Sequence, residues 1–335
     1  MDRKWTSAAI VAVGLLGAIL AGCDYNGINS PPAETRTPEG PIKSMAVPAE
    51  AELHQAVLDA ESARANYKYR LDVLQGYYNR IGYADKYNDT VKEMKNLQTA
   101  QWFRWEGLEE VQPAAGESVA SADETALIEA LIGARNAWVD ALSRLENLYR
   151  EKNLFDQANT IKRVKERLDP VRLPPYHLAA EVPPPTLRPT AVIPEANELF
   201  NRAHKLFIDG KGTIPGITTN YKKEREAVEL FKDLVRTYKT SDKIALAAYY
   251  IGEIYKEYFN ENVRAVMWYQ RAWEWSENSL TEPAYFQCAT VYDQRLADWN
   301  NAVMCYRGCL KYDPPRPLNF EYARQRIKDL TGKDE

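Results

Sequence analysis

Three histidines and four cysteines supply every imidazole and thiol that this 335-residue chain could use as a nucleophile or a soft metal ligand. His54, His177 and His204 stand far apart, and none has a second histidine or cysteine at helical spacing. HExxH-type and Cys/His zinc patterns are therefore missing. The run Gly210 to Gly216 (GKGTIPG) has glycines but lacks the GK[ST] ending and a preceding strand, so it reads as a loop and not a phosphate cradle. The acid pairs Glu109/Glu110 and Glu195/Glu198 have no apolar surroundings to raise a pKa and read as solvated faces. Cys305 and Cys309 lie one turn apart on one helix, with Cys288 on the facing helix. In an oxidising compartment Cys288 could bridge to one of them. The alternative is three buried free thiols, since Cys288 and Cys309 stand at packing positions. No arrangement of these groups announces catalysis, a cofactor or a metal, and the chain is expected not to be an enzyme. Cys23 differs from the rest: it closes an uncharged apolar run behind Leu20-Ala21-Gly22, where small residues admit a peptidase and the thiol can take up a thioether-linked lipid.

The segment around Cys23 explains how that thiol would be used. Residues 1–23 read MDRKWTSAAIVAVGLLGAILAGC, with Arg3 and Lys4 ahead of the apolar stretch Ala8 to Ala21. That stretch suits a signal peptide and is too short for a comfortable membrane-spanning helix. The Leu-Ala-Gly-Cys ending resembles the bacterial lipobox. The resemblance implies cleavage after residue 22, acylation of Cys23 and a lipid-anchored protein on the periplasmic side of the cell envelope. Asp24 resembles the inner-membrane retention signal of some Gram-negative lipoproteins, with the outer membrane as the other destination. The net charge of −4 and the lack of a Lys/Arg block argue against nucleic acid as a partner.

Behind the anchor, residues 23–48 are rich in proline and lack periodicity, as expected of a disordered tether. Residues 49–169 carry helical periodicity throughout. A first helix has a heptad-like seam of Leu53, Val57, Ala60, Tyr67, Leu71, Leu74, Tyr78 and Ile81, interrupted by Arg64. A second helical stretch over 84–108 carries Tyr87, Val91, Met94 and Leu97 and ends in the aromatic knot Trp102, Phe103 and Trp105. After a break at 112–121, Asp123 should cap a third helix with the seam Ile128, Leu131, Trp138, Leu142, Leu145 and Tyr149, interrupted by Arg135. Asn153 marks a turn, and a fourth helix runs to Leu168 before Pro170. Seams this long need a partner: the first and third helices packed as an antiparallel hairpin, or a second copy in a coiled coil. Residues 170–194 form a Pro-rich linker with enough apolar residues to lie on a neighbouring surface.

The C-terminal part is periodic. Ala227, Phe231 and Leu234 recur as Ala265, Tyr269 and Ala272, and again as Ala302, Tyr306 and Cys309; Ile251, Gly252 and Tyr255 recur as Cys288, Ala289 and Tyr292. The step is about 37 residues, the length of a two-helix unit. Small residues let two helices approach closely, and tyrosines fill the space between units. This pattern resembles the tetratricopeptide repeat (TPR), and the string from Ala227 to Tyr255 is similar to periplasmic TPR lipoproteins of the BamD and YbgF type. The fold class expected is all-α: an N-terminal helical hairpin or coiled-coil-like bundle over 49–169, then a TPR α-solenoid over 195–332 closed by a capping helix, Leu318 to Leu330. The resemblance implies a concave groove built from first-helix faces. By the repeat offsets it would present Tyr249, Glu253, Lys256, Glu257, Phe286, Thr290, Asp293 and Gln294. The function implied is a membrane-anchored scaffold that binds a protein or peptide; the alternative is a structural spacer that oligomerises through its heptad helices.

Overall fold

The heptad seams find each other within the chain. The computed structural model describes residues 43–109, 111–113, 123–213 and 217–333. The expected leader, Cys23, Asp24 and the expected tether up to residue 42 lie outside the described residues, as do most of the 112–121 break and residues 214–216 of the glycine-containing loop. Helix α1 (Ala51–Ile81) packs against α3 (Glu124–Glu151). The two run antiparallel: Tyr78 Oη donates to Glu124 at 2.9 Å, the Tyr67 and Trp138 rings meet at 6.0 Å mid-length, and Lys152 pairs with Glu50 at the far end. The α1 seam is buried from Leu53 to Tyr78, and only its last member, Ile81, is exposed at the helix end before Gly82 (φ 77°). All six apolar seam residues of α3 are buried. Arg135 belongs in that seam because its Nη2 donates to the carbonyls of Leu168 and Asp169, both at 3.2 Å. Asp123 accepts from Ala126 N at 2.8 Å as the N-cap of α3, and Asn153 takes the left-handed conformation (φ 58°) before α4 (Phe155–Arg167).

Two stretches differ from the expectation. In α2 (Ala84–Ala100) the buried face is Thr90, Glu93, Leu97 and Ala100, and Val91 is 41% exposed. An ionisable residue takes an inward position because Tyr67, Tyr176 and His177 meet it there. The helix also stops at Ala100. The aromatic knot becomes strand β2 (Phe103–Glu106), pairing in parallel with β1 (Lys43–Ala46), which had been expected to belong to the disordered tether. Burial of Met45 and Phe103 fastens this small ribbon to the bundle core.

The Pro-rich segment that follows α4 is not a free linker. Pro175–His177 forms a 3₁₀ turn and Leu178–Glu181 a single turn, α5. Further along, Thr190 and Ala191 both donate to the Thr240 carbonyl. The described residues belong to one compact unit, and this strap bonds to both of its halves. On the bundle side, Tyr176 and His177 reach Glu93.

The remaining helices follow in series: α6 (Pro194–Lys211), α7 (Tyr221–Thr237), α8 (Ile244–Ile254) prolonged by a π turn at Tyr255–Phe259, α9 (Asn262–Trp275), α10 (Ala284–Gln294), α11 (Trp299–Tyr312) and α12 (Pro317–Thr331). Each packs against the next. Positions one step apart share environments. Ala265 and Ala302 are fully buried, and Tyr269 and Tyr306 each donate a phenolic proton to an acid on the preceding helix, Glu253 and Asp293. Small residues sit where helices touch. A Cβ at Gly252 would fall 2.8 Å from the Tyr269 ring, and one at Gly308 would fall 2.3 Å from the Tyr285 ring. Tyr285 cannot step aside, since it stacks on Trp273 at 4.1 Å and lies 5.7 Å from Tyr312. Gly308→Ala should therefore destabilise the protein by about 1–3 kcal/mol through overpacking. A urea midpoint shift at unchanged m-value would measure this; an unchanged midpoint would mean the α10–α11 contact is looser than described.

Candidate partner surface

The eight residues expected to line a groove divide by environment. On α8, Tyr249 is buried between the rings of Tyr250 and Tyr269. Glu253 accepts from Tyr269 Oη at 2.5 Å; burial pushes its carboxyl pKa up, against the pull of Lys256 and the tyrosine. In the π turn that prolongs α8, Lys256 donates to Gln287 Oε1 at 2.5 Å and pairs with the exposed Glu257 at 2.8 Å. On α10, Phe286 meets Tyr322 at 5.9 Å, Thr290 donates to its own helix at Gln287 O, and Gln294 donates to Tyr322 Oη. Asp293 is nearly buried. Arg326 binds it through Nε and Nη2, both at 2.8 Å, and Tyr306 Oη adds a third bond. Arg326 first and burial second set the pKa of Asp293, which ends below the usual carboxylate range. Three of the four α10 residues thus meet α12, while Glu253 lies on α8 and Lys256 and Glu257 in the turn that prolongs it, toward the α6 end of the array.

That end carries residues the repeat offsets did not select. Phe200 and His204 of α6 stack at 5.9 Å with an interplanar angle of 7°, and His204 meets Tyr250 edge-on at 4.8 Å. Phe207 joins Tyr250 to Tyr258. Phe200, His204, Tyr250 and Tyr258 are each only partly covered. Burial and then Lys211 lower the pKa of His204, so the ring leans toward the neutral form. The i, i+4, i+7, i+11 spacing of Ala196, Phe200, Ala203 and Phe207 was the available signal for the inward face of α6.

Other polar clusters are closed to solvent. Glu93, Tyr67, Tyr176 and His177 form a buried knot in which His177 Nε2 approaches Glu93 Oε2 at 3.1 Å. Burial would raise the Glu93 pKa, but His177 and the two hydroxyls hold it below its ordinary value. On the array side, Glu181 of the strap takes Lys232 Nζ at 2.6 Å, Arg264 Nε at 2.8 Å and Tyr255 Oη at 2.9 Å. Burial again opposes ionisation, and the two cations overcome it, leaving the pKa at about 2. Arg264 Nη2 also donates to the carbonyls of Leu173 and Pro174, Arg271 Nε to that of Pro183, and Trp275 Nε1 to that of Pro184. Helix α9 thus grips the extended strap by its carbonyls. Cys288, Cys305 and Cys309 are buried and free. Among the described residues no group of three His, Cys, Asp or Glu side chains could hold a metal ion, and no helix is long and apolar enough to cross a membrane. No family model and no curated protein matches this chain.

Proposed function

We propose that the chain is a lipid-anchored envelope scaffold whose C-terminal helices form a TPR-like solenoid that binds a protein or peptide. One observation carries this reading. At the α6–α8 end, partly exposed aromatic rings (Phe200, His204, Tyr250 and Tyr258) gather beside Glu253, Lys256 and Glu257, on helices made rigid by close packing behind them. Rigid aromatic rings flanked by both charge signs bind peptides at low entropic cost. The binding end is then α6–α8, and α12 serves as the polar cap that a helical array needs. The spacer alternative depends on unpaired heptad seams, and those of α1 and α3 are spent on each other.

The test is capture with the full chain from crosslinked envelopes. Wild type should recover a protein partner. The His204→Ala/Tyr250→Ala variant should weaken that complex by roughly 30-fold or more, given about 2 kcal/mol for an interface hot spot. Recovery of no protein, or equal recovery by the variant, sinks the reading.

A further inference from the structure

A second surface, built by the N-terminal bundle, has its own chemistry. Between α1 and β2 lies a cleft of about 590 Å³, walled by Phe103, Trp105 and Leu108 and rimmed by Arg64, Lys68 and Arg104. Glu61 forms part of its lining, and its carboxylate is fully engaged: it accepts from Arg64 Nε at 2.9 Å, Gln101 Nε2 at 2.8 Å and Trp105 Nε1 at 2.9 Å. These bonds fix the indole and leave Glu61 little capacity to neutralise the other cations. Lys68 and Arg104 are exposed, and neither has a hydrogen-bond or ion-pair partner among the described residues. One exposed acid, Glu109, shares the lining. The position of this cleft matters as much as its charge. Strand β2, which carries Phe103, Arg104 and Trp105, pairs with β1, placing Lys43 opposite Phe103 and Ser44 opposite Arg104. The first 42 residues, Cys23 among them, join the fold at β1. The cationic cleft therefore stands beside the point where the anchored segment enters.

We propose that this cleft docks the anionic phospholipid headgroups of the membrane that holds the chain. Phosphate oxygens accept hydrogen bonds from Arg and Lys, and an indole with an apolar body and a fixed polar edge suits the headgroup level. A tether keeps the surface at high effective concentration near the bilayer, so weak individual contacts suffice. The position beside a bilayer rests on the lipoprotein reading; the binding chemistry does not.

The experiment uses an unlipidated chain beginning at Asp24, which keeps every described residue. It is sedimented with vesicles of phosphatidylcholine alone and with vesicles containing phosphatidylglycerol. Binding is expected to the anionic vesicles only and should fall as salt is added. Lys68→Gln/Arg104→Gln removes two exposed, unpartnered cations and should leave the urea transition unchanged. It should weaken vesicle binding by roughly 30-fold, the combined effect of two cations near an anionic surface. Arg64 is left in place because it also holds Glu61. Equal binding to neutral vesicles, no binding to anionic ones, or a double variant that binds like wild type would each overturn the proposal. Radiolabelled palmitate incorporation, compared with Cys23→Ser, reads the anchor separately, so the anchor can fail while the vesicle result stands.

Discussion

Glu181→Ala is expected to lower the unfolding free energy by about 3–5 kcal/mol, the cost of leaving a buried charge without its partner. The carboxylate is 5% exposed and serves two cations, Lys232 at 21% and Arg264 at 4% side-chain exposure. Removing it leaves Lys232 without a carboxylate beside a space that water cannot readily fill, while Arg264 keeps Glu261 at 2.7 Å but loses the bond to its Nε. It also strips Tyr255 Oη of its acceptor. Lys232 lies on α7, Arg264 on α9 and Tyr255 in the π turn between them, so one side chain of the strap ties three parts of the array to the segment that also reaches the bundle through His177. The pH dependence should carry the same signature. The folded pKa is about 2, below the ordinary value of 4.5. The stabilisation is therefore fully present above about pH 4.5 and is lost as pH falls toward 2. Urea unfolding at pH 7 and pH 3 would measure it: the gap between wild type and variant should narrow at the lower pH. A loss under about 1 kcal/mol at pH 7, the range of exposed pairs, would mean that the hub is solvated.

What could be read in advance depended on where the physical information lay. The α1 and α3 seams were legible because side-chain type alone declares an apolar face, and the 37-residue step was legible because close helix contacts demand small residues such as Ala265 and Ala302. Glu93 defeated the reading of α2: its partners Tyr67, Tyr176 and His177 come from two other segments, so no local pattern could turn an acid inward. Strand β2 was hidden for a similar reason, since its four residues pair with a strand some sixty positions upstream. That the Pro-rich strap could lie on a neighbouring surface was legible from its apolar residues, but which helix holds it was not, because what α9 grips is its carbonyl oxygens, and every residue has one. Asp293 lay at the expected repeat offset, but its accessibility is decided by Arg326 on α12. The repeat arithmetic could place α8 and α10 side by side without showing which side chains α12 would cover.

Glu224→Gln should change stability in the opposite direction, raising it by on the order of 2–4 kcal/mol at pH 9 and by little at pH 5. Glu224 stands in the first turn of α7 with no exposed surface, and neither carboxyl oxygen has a hydrogen-bond partner. It faces Gly210 of α6, where a Cβ would fall 2.4 Å from Glu224 Oε1; that position is glycine because the carboxyl occupies its space. Burial raises the Glu224 pKa to about 8, with Lys211 pulling weakly the other way. At low pH the carboxyl is protonated in both the folded and unfolded states and costs nothing through ionisation. Above about 4.5 the unfolded chain ionises while the folded one keeps its proton, so stability falls with rising pH until the folded group also ionises near 8. Each pKa unit is worth about 1.4 kcal/mol, and the second amide donor of glutamine, also unpartnered, takes back part of the gain. Glutamine fills nearly the same volume and never ionises, so its advantage should grow across that interval and then level off. Urea unfolding of both proteins at pH 5, 7 and 9 would trace this curve. A difference that stays flat with pH would place the Glu224 carboxylate in contact with water and end the argument for a buried, protonated acid between α6 and α7.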